Sequence, residues 1–170
     1  MQYRFLDNPD RLRRKFRETF VLNYDAFCAL HPGWADRYDR THFETMYLWD
    51  RFVPESRQIS FSEARVFLKA RHGEVWFLTE EPACIAVDFC QLDKHKRYVA
   101  AASPAELAEL AAYEWFTEFE LADQGRYLAD PVLPSDFYVF DESFRWCLVF
   151  THETDWDEKP DSRVCFQVET

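Results

Sequence analysis

Glycine is almost missing from this chain, with three among 170 residues. Neither GxGxxG nor GxxxxGK(S/T) occurs, so the backbone loops that cradle nucleotide phosphates are excluded. Cys28, Cys84, Cys90, Cys147 and Cys165 contain no CxxC pair, and their odd number argues against a disulfide framework. No stretch approaches the roughly 18 apolar residues of a membrane span. The opening MQYRFLDNPD lacks the charged, apolar and small-residue segments of a secretory signal. A cytoplasmic protein is expected. Positive charge is also in deficit: the net charge is −11 and the pI near 4.9. Such a chain is repelled by nucleic acid and anionic membranes and attracts cationic partners.

Aromatic side chains are abundant. Hydrophobic residues make up 48% of the chain and include 17 Phe, 8 Tyr and 6 Trp, which argues against disorder. A chain of this length buries about 70% of its unfolded surface. No repeat, low-complexity tract or Gly/Ser linker divides it, so a single domain over residues 1–170 is expected. Charge is unevenly spread. Residues 1–17 carry six bases against Asp7 and Asp10, whereas residues 141–170 carry eight acids against Arg145, Lys159 and Arg163. Solvated surface is the ordinary reading of both clusters.

Asn8 and Pro9 suit a helix start, and Leu12, Phe16, Phe20 and Phe27 continue at near-helical spacing until His31, Pro32 and Gly33. Thr41 with Glu44 fits a reciprocal capping box for a second helix ending at Pro54, and Ser60 with Glu63 repeats the device for a third, ending near Gly73. Strands are expected at 74–78, 84–92 and 98–101. Ser103, Pro104 and Glu106 then start a helix that reaches Gly125 at the latest. Residues 137–140 and 146–151 read as a hairpin, with Phe137 and Val139 on one face and Tyr138 and Phe140 on the other. Both faces being apolar, that strand should be central. A last strand is expected at 164–168. The fold class is α+β, a mainly antiparallel sheet with N-terminal and central helices packed on it.

The string from Thr151 to Glu158 comes nearest to chemistry, because imidazole and carboxylates lie close together there. His152, Glu153 and Asp155 are the catalytic or metal-binding candidates of a small hydrolase. The spacing is not that of a zincin helix, since Trp156 stands where HExxH needs its second histidine, and the glycine and terminal glutamate of an EF-hand loop are absent. A reactive cysteine would need a histidine partner, and four of the five thiols lie inside apolar runs where an inert buried thiol is ordinary. Cys84, Cys90 and His95 are spaced too widely for the usual zinc pairs. No cofactor or metal is therefore expected. Trp34, Trp49, Trp76, Trp115 and Trp146 read as core, because stacking platforms for nucleic acid also need a basic groove. Trp156 lies between Asp155 and Asp157 and suits an anchor for a basic protein surface.

Two blocks, SEARVFLKARHGEVWFLTE at 62–80 and DFYVFDESFRWCLVFTHE at 136–153, resemble a family of small uncharacterised bacterial cytoplasmic proteins. They are similar in style to immunity-type proteins from toxin operons. The resemblance implies a small α+β fold and a bacterial source, and lends no chemistry. The leading expectation is a non-enzymatic interaction protein. Its acidic surface, built from Asp141, Glu142, Glu153, Asp155, Trp156 and Asp157, would meet a basic protein, a toxin to be neutralised being one such partner. A small hydrolase and a small-molecule binding domain are the alternatives. The residues leave the oligomeric state open.

Overall fold

The computed structural model describes residues 3–79, 99–110, 137–154 and 163–170. In chain order the elements are β1 (Tyr3–Phe5), α1 (Pro9–Phe20), α2 (Tyr24–Leu30), α3 (Arg40–Thr45), a short 3-10 turn (Trp49–Arg51), β2 (Arg57–Ile59) and α4 (Phe61–Lys69). They continue with β3 (Val75–Thr79), β4 (Ala100–Ala102), α5 (Pro104–Leu110), β5 (Phe137–Phe140), β6 (Trp146–Thr154) and β7 (Arg163–Glu169). The seven strands form one sheet in the order β1-β4-β3-β5-β6-β7-β2, and every pairing is antiparallel. The expected α+β class, mainly antiparallel with helices packed on the sheet, is what the chain adopts.

Side-chain alternation divides the interior into two layers. One face of the sheet presents Phe77, Phe137, Val139, Leu148 and Phe150 to Ala64 and Leu68 of α4 and to Leu107 and Ala108 of α5. The other presents Leu78, Tyr138, Phe140 and Val149 to Phe16 and Phe20 of α1 and to Leu48 and Phe52 of the 3-10 segment. All four residues of β5 are fully buried, and β5 lies between β3 and β6, the central position its two-sided apolar pattern requires. Across it Phe137 stacks on Phe150 with centroids 4.5 Å apart.

Local signals were followed where their hydrogen bonds close within a few residues. Ser60 and Glu63 form the full capping box, and the Ser60 backbone and hydroxyl hold the Glu63 carboxyl below its ordinary pKa. The hairpin of β5 and β6, the strand at 75–79 and the last strand stand where expected.

Four expectations need correction. The first helix does not run to residue 30. It stops at Phe20, where Val21 bridges to Phe52 and the Phe20 carbonyl accepts from Val53 N–H, and Asn23 restarts the chain as α2 by capping Ala26 N–H. Asn8 sits in the left-handed region, and its carbonyl rather than its side chain takes the first amides of α1. Asp39, not Thr41, caps α3 by accepting from His42 N–H, and that helix is over by Thr45. Helix α4 ends at Lys69, leaving Gly73 with its φ of 82° to turn the chain into β3. The edge strands β1 and β2 had no expected counterpart, and the strand expected over 98–101 is β4, Ala100–Ala102. The expected strand at 84–92 and the continuation of α5 beyond residue 110 lie outside the described residues.

Candidate functional site

The acidic candidates fall into two groups set by the ends of β6. Asp141 and Glu142 lie in the turn between β5 and β6, and Glu153 lies near the far end of β6. At about 3.3 Å per residue the strand separates the two groups by roughly 20–25 Å. That exceeds the screening length of about 8 Å in physiological salt, so the two groups are electrostatically independent of each other. Asp155, Trp156 and Asp157 lie outside the described residues.

Within the turn, Asp141 is occupied by structure. One carboxylate oxygen accepts the Ser143 backbone N–H at 2.9 Å and the Ser143 hydroxyl, and the other accepts the Trp146 indole N–H at 2.6 Å. Its charge thus holds a half-buried turn and gives the 5% exposed Trp146 its only polar group a partner. Phe144, next in the turn, has a φ of 55°, a value costly for a bulky residue. Packing holds it there: it is buried against Phe140 and Trp76, and Lys15 Nζ lies 4.1 Å from its ring centroid.

The two blocks of the resemblance meet beside this turn. Arg71 from the first block has its guanidinium 3.8 Å from the Phe67 ring centroid and 4.9 Å from that of Trp146 in the second. Arg71 also lies 3.9 Å from Glu169, which accepts from the Gln167 amide, and Gln167 in turn accepts from Arg57. Glu169, one of the eight C-terminal acids, is therefore tied down.

Glu142 and Glu153 are exposed, and neither has an ion-pair partner among the described residues. The bases of α1 do not reach them. Arg13 is buried, and Lys15 rests on Phe144 rather than on a carboxylate. Near Glu153, the Thr151 hydroxyl donates to the Val164 carbonyl at 2.8 Å and accepts from the Glu153 backbone N–H at 3.2 Å, where the register shifts between Phe150 and Thr154. A bulge of this kind re-aims side chains at a strand end. His152 belongs to β6, and Asp155, its expected companion in a hydrolase, lies outside the described residues.

Among the described residues no three His, Cys, Asp or Glu side chains gather as metal ligands. Cys84, Cys90 and His95 fall outside them. Cys147 is fully buried and burial pushes its thiol well up in pKa, the condition of an inert sulfur. Cys28 is half-buried beside Tyr24, whose phenol is raised in pKa by burial and by its hydrogen bond with that thiol. An open groove of about 420 Å³ runs along Tyr3, Arg4, Gly73, Glu74, Ala102 and Ser103. It lies at the β1 edge, where Arg4 and Glu74 close a bidentate ion pair and Glu106 of α5 joins the strand residues in its lining. No helix among the described residues is long and apolar enough to cross a membrane.

Composition and alternation were blind to one feature, an aromatic cluster on α2, α3 and the segment between them. Phe27 and Phe43 are its buried centre, 5.4 Å apart, and Trp34, Tyr38 and His42 stand outside it. The recurrence of Trp34, Tyr38 and His42 at four-residue intervals is the signal that could have found it. No protein-family model, no curated protein and no solved structure matches this chain.

Proposed function

We propose that the protein is a non-enzymatic binding module of the bacterial cytoplasm that engages a basic protein, neutralisation of a toxin being the role closest to the resemblance of its two blocks. The observation that carries this reading is Glu153, exposed at the end of β6 without an ion-pair partner among the described residues, in a chain of net charge −11. Free carboxylates on such a chain speed encounter with a cationic surface and are weakened by salt. Asp155 and Asp157 follow Glu153 at two-residue steps in the sequence and add to its charge, with Trp156 between them. Asp141 drops out of the contact set, because its oxygens are taken by Ser143 and Trp146.

The test is affinity capture from the source cell with the full chain, with mass spectrometry of what is retained. The expected result is a protein of high pI, lost when Glu153 is changed to Gln together with Asp155, Trp156 and Asp157 to Ala, and weakened by salt. Retention that is indifferent to those changes and to salt would overturn the reading. A stoichiometric metal in the purified protein, removed by Glu153→Gln, would favour the hydrolase instead.

A further inference from the structure

We propose that the rings of Trp34, Tyr38 and His42 form a second contact surface, one that takes an arginine side chain from a basic protein. This rests on the reading above for the partner's charge, but it names a different site and a different chemistry. The three rings are close and fixed. Trp34 lies 5.0 Å from Tyr38, and Tyr38 stacks on His42 at 4.5 Å with planes 18° apart. Trp34 is rooted edge-on against the buried Phe27 ring at 5.3 Å.

The backbone is fixed as well. Tyr38 N–H donates to the Trp34 carbonyl at 3.0 Å, and His42 N–H to the Asp39 carboxylate at 2.8 Å. Rings held in this way lose little freedom when a partner lands on them. Their outer surface is open: Tyr38 is 42% exposed and Leu30, at the end of α2, 50%. The cluster is separate from both sheet layers, neither of which includes Phe27 or Phe43, and it leaves Tyr38 and His42 exposed and Trp34 half-buried.

Charge decides what covers them. Residues 24–51 carry five carboxylates, Asp25, Asp36, Asp39, Glu44 and Asp50, against Arg37, Arg40 and Arg51. Arg40 pairs with Glu44 and lies 5.4 Å from the Tyr24 ring, and Arg51 lies 4.6 Å from the Phe43 ring, so the cluster already seats guanidinium groups on its inner rings and keeps a small excess of carboxylates. Aromatic faces with surplus carboxylates around them attract cations and disfavour anions. A planar guanidinium stacks on such faces better than a compact ammonium does, and Arg with Tyr and Trp is the usual make-up of an interface hot spot.

The test uses the full chain and two labelled probe peptides that differ only in carrying arginine or lysine, with binding read by fluorescence anisotropy at about 0.15 M salt. The native protein should favour the arginine peptide by roughly fivefold. Tyr38→Ala with His42→Ala should bring that ratio to one, while Tyr38→Phe keeps it and circular dichroism shows each variant folded. Glu142→Gln with Glu153→Gln should weaken both peptides alike and leave the ratio in place. A native ratio of one, or a ratio that survives loss of Tyr38 and His42, would overturn this inference alone. Failure of both peptides to bind would overturn both readings. Sedimentation showing a dimer that Tyr38→Ala converts to monomer would assign the surface to a second copy of this chain and overturn it too.

Discussion

Phe137 with Phe150, and Tyr38 with His42, are stacked pairs with the same 4.5 Å between ring centroids. The first is fully buried on the central strands and the second stands on the outer side of α3, with His42 exposed and Tyr38 42% exposed. Equal geometry therefore serves unequal ends. In the sheet the stack removes apolar area from water and supports folding. On α3 it leaves a rigid surface whose area is still available to a partner.

The sharpest way to test that contrast is Phe150→Ala, which opens a cavity beside Phe137 and Phe61 and should cost about 3–5 kcal/mol in urea denaturation. Asp141→Ala comes next. It leaves the Trp146 indole N–H buried without its acceptor, an expected loss of about 1–3 kcal/mol, and Asp141→Asn should recover most of it by restoring an oxygen. Ser60→Ala should cost about 1 kcal/mol through loss of the α4 cap.

That last variant also has a pH signature. The folded pKa of Glu63 lies below its ordinary 4.5, so the box stabilises at higher pH, and its contribution is lost as pH falls through the folded value. Thermal denaturation of Ser60→Ala should accordingly lose less Tm on acidification than the native chain. The smallest effect is expected for Tyr38→Ala, within about 0.5 kcal/mol in stability. A large destabilisation there would erase the distinction between the two stacks.

What could be read from the residues tracks the reach of the interactions that decide each element. The Ser60 and Glu63 box closes over three residues, and the alternation of 137–140 is written into four consecutive side chains, so both were legible. The end of α1 was not. Helical spacing runs straight through from Phe20 to Phe27, and what breaks it is a bridge to Phe52 together with bonds to Val53 and Arg51, about thirty residues away in the chain. Strand β2 has the same cause: its three residues pair with β7 more than a hundred positions later, and nothing local marks them as extended.

For the acidic surface, the sequence showed the density of charge but not its distribution. Asp141 and Glu142 are adjacent, yet one is drawn into the turn by Ser143 and Trp146 while the other is exposed. Counting carboxylates treats them as equal.

Strand β5 contributes Phe137 and Val139 to the layer under α4 and α5, and Tyr138 and Phe140 to the layer under α1. Because four consecutive side chains are divided between the two halves of the interior, peeling off either covering would wet the backs of residues that the other still needs. The helices on opposite sides of the sheet are accordingly expected to melt in a single cooperative step, seen in calorimetry as one transition.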